Sequence, residues 1–425
     1  MFITRRCWLS LTTASAFAWL VSPCLATEGE DKDRAALESR IIRFIHEYEQ
    51  QGFHRTGTAV DRLSGNWLCE EVKRAGLKPT RESFPLNRVD PVTSSLLAGD
   101  RQVEGLPLFD GAFTDASGVR GRIGPLDSDA EIGWTEAATN TTEAGALGDA
   151  RRKNRHRAIV CVTRGGRPGL CPNNADSFLQ PFGPPVLQVS SEHTPWLGEL
   201  AKQGVGVRII AQVKRTPAQA FNVTARIKGL DSTLPPLVVM TPRSGWYSCA
   251  SERGGGMFCW VELMRSLRTV RLKRDVLFVA STGHEVSYLG IKAFVDRRPG
   301  ILSNSAGWMH LGANIGAAAI SETSVGAAHR TAGNIVQASD DAFEAVLASA
   351  MTSAGLSIQR RNPRGYVPGG EAEVVHHGGA RYVSVIGSNA LFHNPDDRGP
   401  QTVDATVIAR FVEAFTAVAK TLAGA

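Results

Sequence analysis

Two short, uninterrupted apolar runs constrain most strongly what this chain can fold into. Residues 237–240 and 276–280 contain no polar side chain, and such runs are typical of strands buried on both faces of a sheet. A helix-like segment at 256–267 separates them, and the alternation continues to a last helix at 405–422. This alternation predicts an α/β fold, a three-layer sandwich with a mostly parallel central sheet. Functional residues are expected where its strands end, at one edge.

The preceding part of the chain predicts a second, smaller unit. Helices are predicted at 32–51 and 64–75, from apolar periodicity and a terminating glycine. Residues 87–216 are rich in Gly, Pro, Asp and Thr, with strand candidates at 158–162, 185–189 and 207–210 and one helix at 196–203. We therefore expect a small β-rich inserted domain at 87–216, and a larger α/β domain built from 27–86 and 217–425.

Charge and hydropathy argue against two kinds of partner. The formal net charge is +6, and about +4 without the two arginines of the first 26 residues. The basic residues are scattered, and their one cluster, at 151–157, has no interleaved aromatic residues. Nucleic acid is therefore not an expected partner. An integral membrane segment is not expected either, because no later run is apolar over a spanning length.

The first 26 residues predict an export signal. Arg5 and Arg6 precede an apolar run at 11–21, and small residues end at Ala26. The arginine pair resembles a twin-arginine signal of bacteria, with an ordinary secretory signal as the alternative. Either predicts a periplasmic or secreted protein. Export permits disulfides, and Cys161 and Cys171 are the best local pair among the five later cysteines.

A turn near the C-terminus holds the first candidate for metal chemistry. His393 lies in a Phe-His-Asn-Pro-Asp-Asp segment at 392–397, behind a predicted strand at 382–386. Proline and paired aspartates suit a tight turn. A histidine on such a turn is well placed to bind a cation, and a histidine that only caps the turn is the alternative.

Blocks along nearly the whole chain after residue 26 occur in a recognisable order. They are His-Arg-Thr-Gly at 54–57, Leu-Cys-Glu-Glu-Val at 68–72 followed by Gly-Leu at 76–77, and Ala-Phe-Asn-Val-Thr-Ala-Arg-Ile-Lys-Gly at 220–229. With the turn at 392–397 they resemble the clan MH di-zinc aminopeptidases, a superfamily that includes the glutaminyl cyclases. The resemblance implies a hydrolase of peptides or small amides, with a protease-associated domain as the insert.

The resemblance also implies a two-zinc centre with five protein ligands and a Glu as general base. Thr241 stands where one His ligand is expected, and Gly312 or Ala313 stands where one Asp is expected. Both lost ligands belong largely to one zinc ion. A two-zinc site is therefore not expected.

The remaining positions predict at most one zinc ion. Glu252, Glu285 and His393 match the carboxylate, carboxylate and His set of the glutaminyl cyclase branch, with an open fourth position. His284 replaces the general base and is a candidate acid/base near neutral pH. His310 is a spare ligand or an oxyanion donor.

The competing prediction is a metal-free site in an inactive binding protein, and a mono-zinc cyclotransferase is a third possibility. Arg243 or Arg253 would neutralise the carboxylates in place of zinc. With Trp246 and the glycines at 254–256 they would bind an anionic substrate group. Glycines that only permit close packing are the alternative.

Other polar residues carry smaller expectations. Glu371 and Glu373 are expected at the surface rather than at the pocket edge, and the His pair at 376–377 in a solvated turn. Ser244 and Cys249 lack the pattern of a nucleophile elbow.

Overall fold

The fold was taken from a computed structural model that describes residues 28–139, 144–319 and 333–425. The predicted export signal lies outside the described residues. The helices in the described part are Glu28–Glu49 (α1), Ala59–Arg74 (α2), Gly145–Lys153 (α3), Thr194–Gln203 (α4), Ala250–Leu267 (α5), Leu289–Asp296 (α6), Asp341–Ser353 (α7), Ala372–His377 (α8) and Ala405–Ala423 (α9), with 3₁₀ turns at Ser191–His193 and Pro400–Thr402.

The strands form one extended sheet. They are Thr80–Ala98 (β1), Arg101–Pro107 (β2), Val119–Pro125 (β3), Ile132–Ala138 (β4), Ala158–Arg164 (β5), Val186–Ser190 (β6), Gly206–Ile227 (β7), Leu237–Pro242 (β8), Val276–Ser281 (β9), Gly307–Leu311 (β10), Asn334–Ala338 (β11), Arg360–Arg361 (β12) and Tyr382–Gly387 (β13). Their order is β1-β2-β6-β5-β4-β3-β7-β9-β8-β10-β13-β11-β12.

The central strands confirm the predicted three-layer α/β sandwich. β9, β8, β10 and β13 run parallel to one another. In β8, Leu237 and Val239 belong to a core shared with α1, α2, α5, α7 and α9. The alternate residues Val238 and Met240 pack instead with α6 and α8. Because successive side chains of a strand point to opposite faces, the apolar run seen in the sequence supplies both helix layers.

Two long strands connect this sandwich to a second core. β1 and β7 pair antiparallel from Thr80 opposite Thr224 to Leu97 opposite Arg208. The strand candidate at 207–210 is thus the first part of a much longer strand. A separate apolar cluster lies beyond, built from strands β2 to β6 and α4. The expected insert boundaries, Asn87 and Thr216, lie next to each other across this ladder, since Arg88 is opposite Thr216.

The three glycines at 254–256 lie inside α5. That helix begins at Ala250, six residues before its predicted start at 256. A Cβ on Gly255 would lie 1.9 Å from the carbonyl oxygen of Ile315, and one on Gly256 would lie 3.0 Å from that of Gly312. The glycines therefore permit close packing, which was the alternative to the binding of an anionic substrate group. The backbone N–H groups at the helix start donate to Asp397, from Ser251 and Glu252, so no anion-binding loop is formed.

The cysteines correct a second expectation. Cys161 and Cys171 are both buried and unbridged, as are the other three cysteines of the described part. The thiol of Cys171 instead lies 3.6 Å from the side-chain nitrogen of Asn394. The search for membrane-spanning helices, made over the described residues, finds none that is long and apolar enough.

Candidate functional site

A cavity of about 610 Å³ opens at the carboxyl edge of the parallel strands. Its size suits a ligand of a few residues. Three titratable side chains that line it, His284, His310 and Glu371, are buried, with 5%, 1% and 1% exposed. We call these three residues the cavity floor. Edge positions at strand ends are where the fold was expected to place function.

The elements around the cavity bring the floor together. His284 follows β9 across Gly283, whose φ is 95°, and His310 lies within β10. Glu371 directly precedes α8. It follows Gly370, which has a φ of 71° and whose added Cβ would lie 3.1 Å from Cε1 of His310. Glycine adopts that backbone conformation without strain, and a larger residue would crowd His310.

The central contact of the floor is a hydrogen bond between His284 and Glu371. Nδ1 of His284 lies 3.0 Å from Oε1 of Glu371. Burial alone would raise the pKa of Glu371, but the charges and hydrogen bonds of His284 and His310 hold it well below its usual value. Glu371 is therefore a carboxylate that accepts the Nδ1–H of His284. That tautomer leaves Nε2 of His284 free to exchange a proton.

His310 supports this pair from behind. Its Nδ1 is 2.8 Å from the hydroxyl of Ser384, and its Nε2 is 3.5 Å from Oε2 of Glu371. Both ring nitrogens thus face protein groups. Nε2 makes no hydrogen bond among the described residues, and the role of His310 as a spare ligand or an oxyanion donor stays a prediction.

Glu252, Arg253 and His393 form a second buried group, which we call the closed centre. Nη2 of Arg253 is 2.7 Å from Oε1 of Glu252, and Nε2 of His393 is 3.6 Å from the same oxygen. All three residues are 1% exposed. Burial opposes the charge on Glu252, but the Arg253 cation outweighs it and lowers the pKa of Glu252. An arginine thus compensates the carboxylate for which the resemblance implied a metal ion.

His393 is held neutral in the closed centre. Burial lowers its pKa to about 4. Its Nδ1–H donates to the carbonyl oxygen of Pro172, 2.6 Å away, so the lone pair of Nε2 faces Glu252. His393 has a φ of 56°, a conformation that non-glycine residues adopt rarely. The turn therefore aims the histidine inward, as a metal ligand would require.

The third expected ligand points elsewhere. The two carboxylate oxygens of Glu285 accept the backbone N–H of Thr56 at 2.5 Å and the hydroxyl of Ser244 at 2.8 Å. Burial raises the pKa of Glu285. Within the ranges 28–139, 144–319 and 333–425, no three His, Cys, Asp or Glu side chains are arranged to hold a metal ion. The residues at the expected position therefore do not fit the single zinc ion.

The side chains expected to bind substrate are also buried away from the cavity. Arg243 is fully buried and pairs with Asp61, with Nη1 2.8 Å from Oδ1. Trp246 packs against Phe109 and donates its indole N–H to Asn174 at 3.0 Å. Neither they nor Arg253 line the cavity. Each has a structural partner that the sequence alone did not indicate.

Glu371 is the functional residue that sequence reasoning misplaced. It was expected at the surface and is instead the buried centre of the cavity floor. The signal that could have located it is the Gly-Gly pair directly before it, because such a pair allows a backbone to approach other groups closely.

Comparison with known proteins supports the fold. No protein-family model matches the sequence, and no curated protein matches it significantly. Among solved structures, a zinc aminopeptidase from Bacillus subtilis has a TM-score of 0.72 at 15% identity, over 91% of this chain and 94% of that one. An aminopeptidase from Aneurinibacillus sp. strain AM-1 has a TM-score of 0.68 at 13% identity, over 92% and 94%.

A peptidase M28 precursor from Shewanella amazonensis is similar to the same extent. Its TM-score is 0.67 at 13% identity, over 92% of this chain and 96% of that one. The chain therefore has the zinc-aminopeptidase fold over nearly its whole length, and the resemblance drawn from the sequence is confirmed at the level of fold.

Proposed function

We propose that this protein hydrolyses an amide or peptide bond of a short ligand bound in the cavity, with His284 as the acid/base and Glu371 as the residue that positions it. The observation that carries the proposal is the 3.0 Å hydrogen bond between two buried side chains that line the cavity. A carboxylate on Nδ1 fixes the tautomer of a histidine and stabilises its protonated form.

Proton transfer at Nε2 of His284 accounts for both halves of the reaction. The nitrogen takes a proton from the attacking water and returns it to the nitrogen of the leaving amine. The resulting imidazolium is stabilised by Glu371, which remains a carboxylate throughout. General acid/base catalysis of this kind contributes about 10²- to 10⁴-fold to the rate. The proposal uses no group from the closed centre.

The second candidate is a binding protein without turnover. It is favoured by the Glu252–Arg253 pair, in which a buried guanidinium lies 2.7 Å from the carboxylate. A ligand would then occupy the same cavity, and His284 and Glu371 would only bind it. Export to the periplasm or beyond fits either candidate and remains a prediction from residues 1–26.

Assays of a peptide library separate the two candidates. We would incubate the protein with di- and tripeptides and N-acyl dipeptides, and follow hydrolysis by mass spectrometry. Hydrolysis should fall by about 10²-fold or more in His284→Gln. The matched control is His377→Gln, an exposed histidine whose loss should change nothing. Saturable binding without hydrolysis by the unmodified protein would instead establish the binding protein.

A further inference from the structure

Two cations that line the cavity have no anionic partner among the residues that the structure describes. Lys292 on α6 and Arg360 on β12 both line the space above the floor. Neither makes a side-chain hydrogen bond or ion pair with any residue in the described part of the chain. The neighbouring Arg361, by contrast, pairs with Glu344 at 2.9 Å. Glu344 thus forms an ion pair with Arg361 but not with the adjacent Arg360.

The acids of the cavity are already engaged. Glu371 is held between two histidines. Asp176 and Glu373 also line the cavity, and each has an interaction of its own. Among the described lining residues, Lys292 and Arg360 are therefore the charged side chains for which no ion-pair partner is seen. A ligand that brings an anion would pair with them.

The spacing along α6 relates Lys292 to the cavity floor, and Arg360 lines the same cavity. Tyr288, directly before α6, packs edge-on against His284 with ring centroids 5.4 Å apart. Lys292 follows Tyr288 by four residues, and its backbone N–H donates to the carbonyl of Tyr288. Residues so related lie on one face, about 5–6 Å apart between Cβ atoms. A residue of extended chain spans about 3.5 Å, so Lys292 can reach an anion one to three residues from an amide at His284.

We propose that the cavity recognises the free carboxylate at the end of a short peptide or N-acyl amino acid, through Lys292 and Arg360. Tyr288, Tyr366 and Phe392 supply apolar walls for the side chains between that carboxylate and the reacting amide. This inference rests on the proposed function, because it assumes that the amide lies at His284. It makes the carboxyl end of the ligand, rather than its amino end, the recognised group.

A matched pair of probes tests this inference. N-acetyl-alanyl-phenylalanine and its C-terminal amide differ only in the carboxylate. We expect the acid to have a kcat/KM, or an affinity by calorimetry, about 10-fold higher than the amide, since two partly exposed ion pairs contribute about 1.4 kcal/mol together. In the Lys292→Met/Arg360→Met double variant this preference should disappear, and in the control Arg361→Met it should persist.

The outcomes are distinguishable from failure of the proposed function. Equal handling of acid and amide, or a preference that survives in the double variant, would overturn carboxylate recognition while leaving hydrolysis or binding at the floor intact. If neither probe nor any library peptide is bound or hydrolysed, both the inference and the proposed function are wrong. If the preference for the acid is lost in the double variant but kept in Arg361→Met, the result supports both carboxylate recognition and the proposed function.

Discussion

The cavity floor and the closed centre contain the same kinds of side chain but differ in how their charges are compensated. In the closed centre, Arg253 supplies the cation beside Glu252 and the group is sealed from solvent. In the floor, Glu371 is hydrogen-bonded to His284 and lies beside His310, and His284 lines a cavity of about 610 Å³. The resemblance implied zinc beside Glu252, where Arg253 lies. It implied the general base at position 284, where a histidine lines the cavity.

The largest expected effect comes from breaking the closed centre. Arg253→Met leaves Glu252 buried without its cation, and removal of one partner of a buried ion pair typically costs about 3–5 kcal/mol. Urea unfolding should show that loss in the free energy of unfolding. The double variant Arg253→Met/Glu252→Gln should recover part of it, because it removes the stranded charge.

The control for that variant is an exposed arginine with an ion pair. Arg361→Met removes the contact with Glu344, and exposed pairs contribute about 0–1 kcal/mol. A loss of less than about 1 kcal/mol in Arg253→Met would show that the closed centre is not the compensated ion pair described above.

A smaller effect on stability and hydrolysis distinguishes backbone strain at a glycine from disturbance of the cavity floor. Gly370→Ala places a Cβ 3.1 Å from His310 in a backbone with a φ of 71°. Gly379→Ala meets nothing within 4 Å at a φ of 68°, so it isolates the conformational cost, about 1–2 kcal/mol. We expect a larger loss of stability for Gly370→Ala than for Gly379→Ala, and a fall in hydrolysis only for Gly370→Ala. Equal hydrolysis by both variants would argue that the floor does not participate.

The last effect, of similar size, is a dependence of stability on pH. His54 lies beside the closed centre, where its carbonyl accepts the N–H of Gly245, and it stacks on Tyr48. Burial lowers its pKa to about 3, against 6.5 when exposed. The unfolded chain therefore takes up a proton that the folded chain does not. The stability that neutral His54 contributes is complete above pH 6.5 and is lost as pH falls.

A variant isolates that contribution. The stability difference between the unmodified protein and His54→Phe should shrink by about 2 kcal/mol between pH 7.5 and pH 5, at about 1.4 kcal/mol per pH unit below 6.5. His377→Phe, at an exposed position and measured over the same pH range, serves as the control. A constant difference for His54→Phe would mean that His54 takes up a proton in the folded protein as readily as in the unfolded chain.

The layers of the sandwich were predictable because a strand that is buried on both faces has a continuous apolar sequence. The apolar runs at 237–240 and 276–280 became β8 and β9. The final helix was predicted within one residue of its observed end. The length of β7 was not predictable, since its exposed polar residues resemble a loop until β1 pairs with them.

The site was less predictable because its charges are compensated over long distances in sequence. Arg243 meets Asp61 across 182 positions, and His284 meets Glu371 across 87. A local sequence shows the charged residue but not its partner. For that reason Arg243 was expected to bind substrate and Glu371 was expected at the surface.

The most direct test of the division between the two regions is metal content measured together with activity. We would purify the protein without a chelator, determine zinc by plasma mass spectrometry, and assay hydrolysis before and after treatment with EDTA. We predict well under one zinc ion per chain and hydrolysis that EDTA does not change. One zinc ion per chain, with hydrolysis lost in EDTA and restored by zinc, would contradict the account.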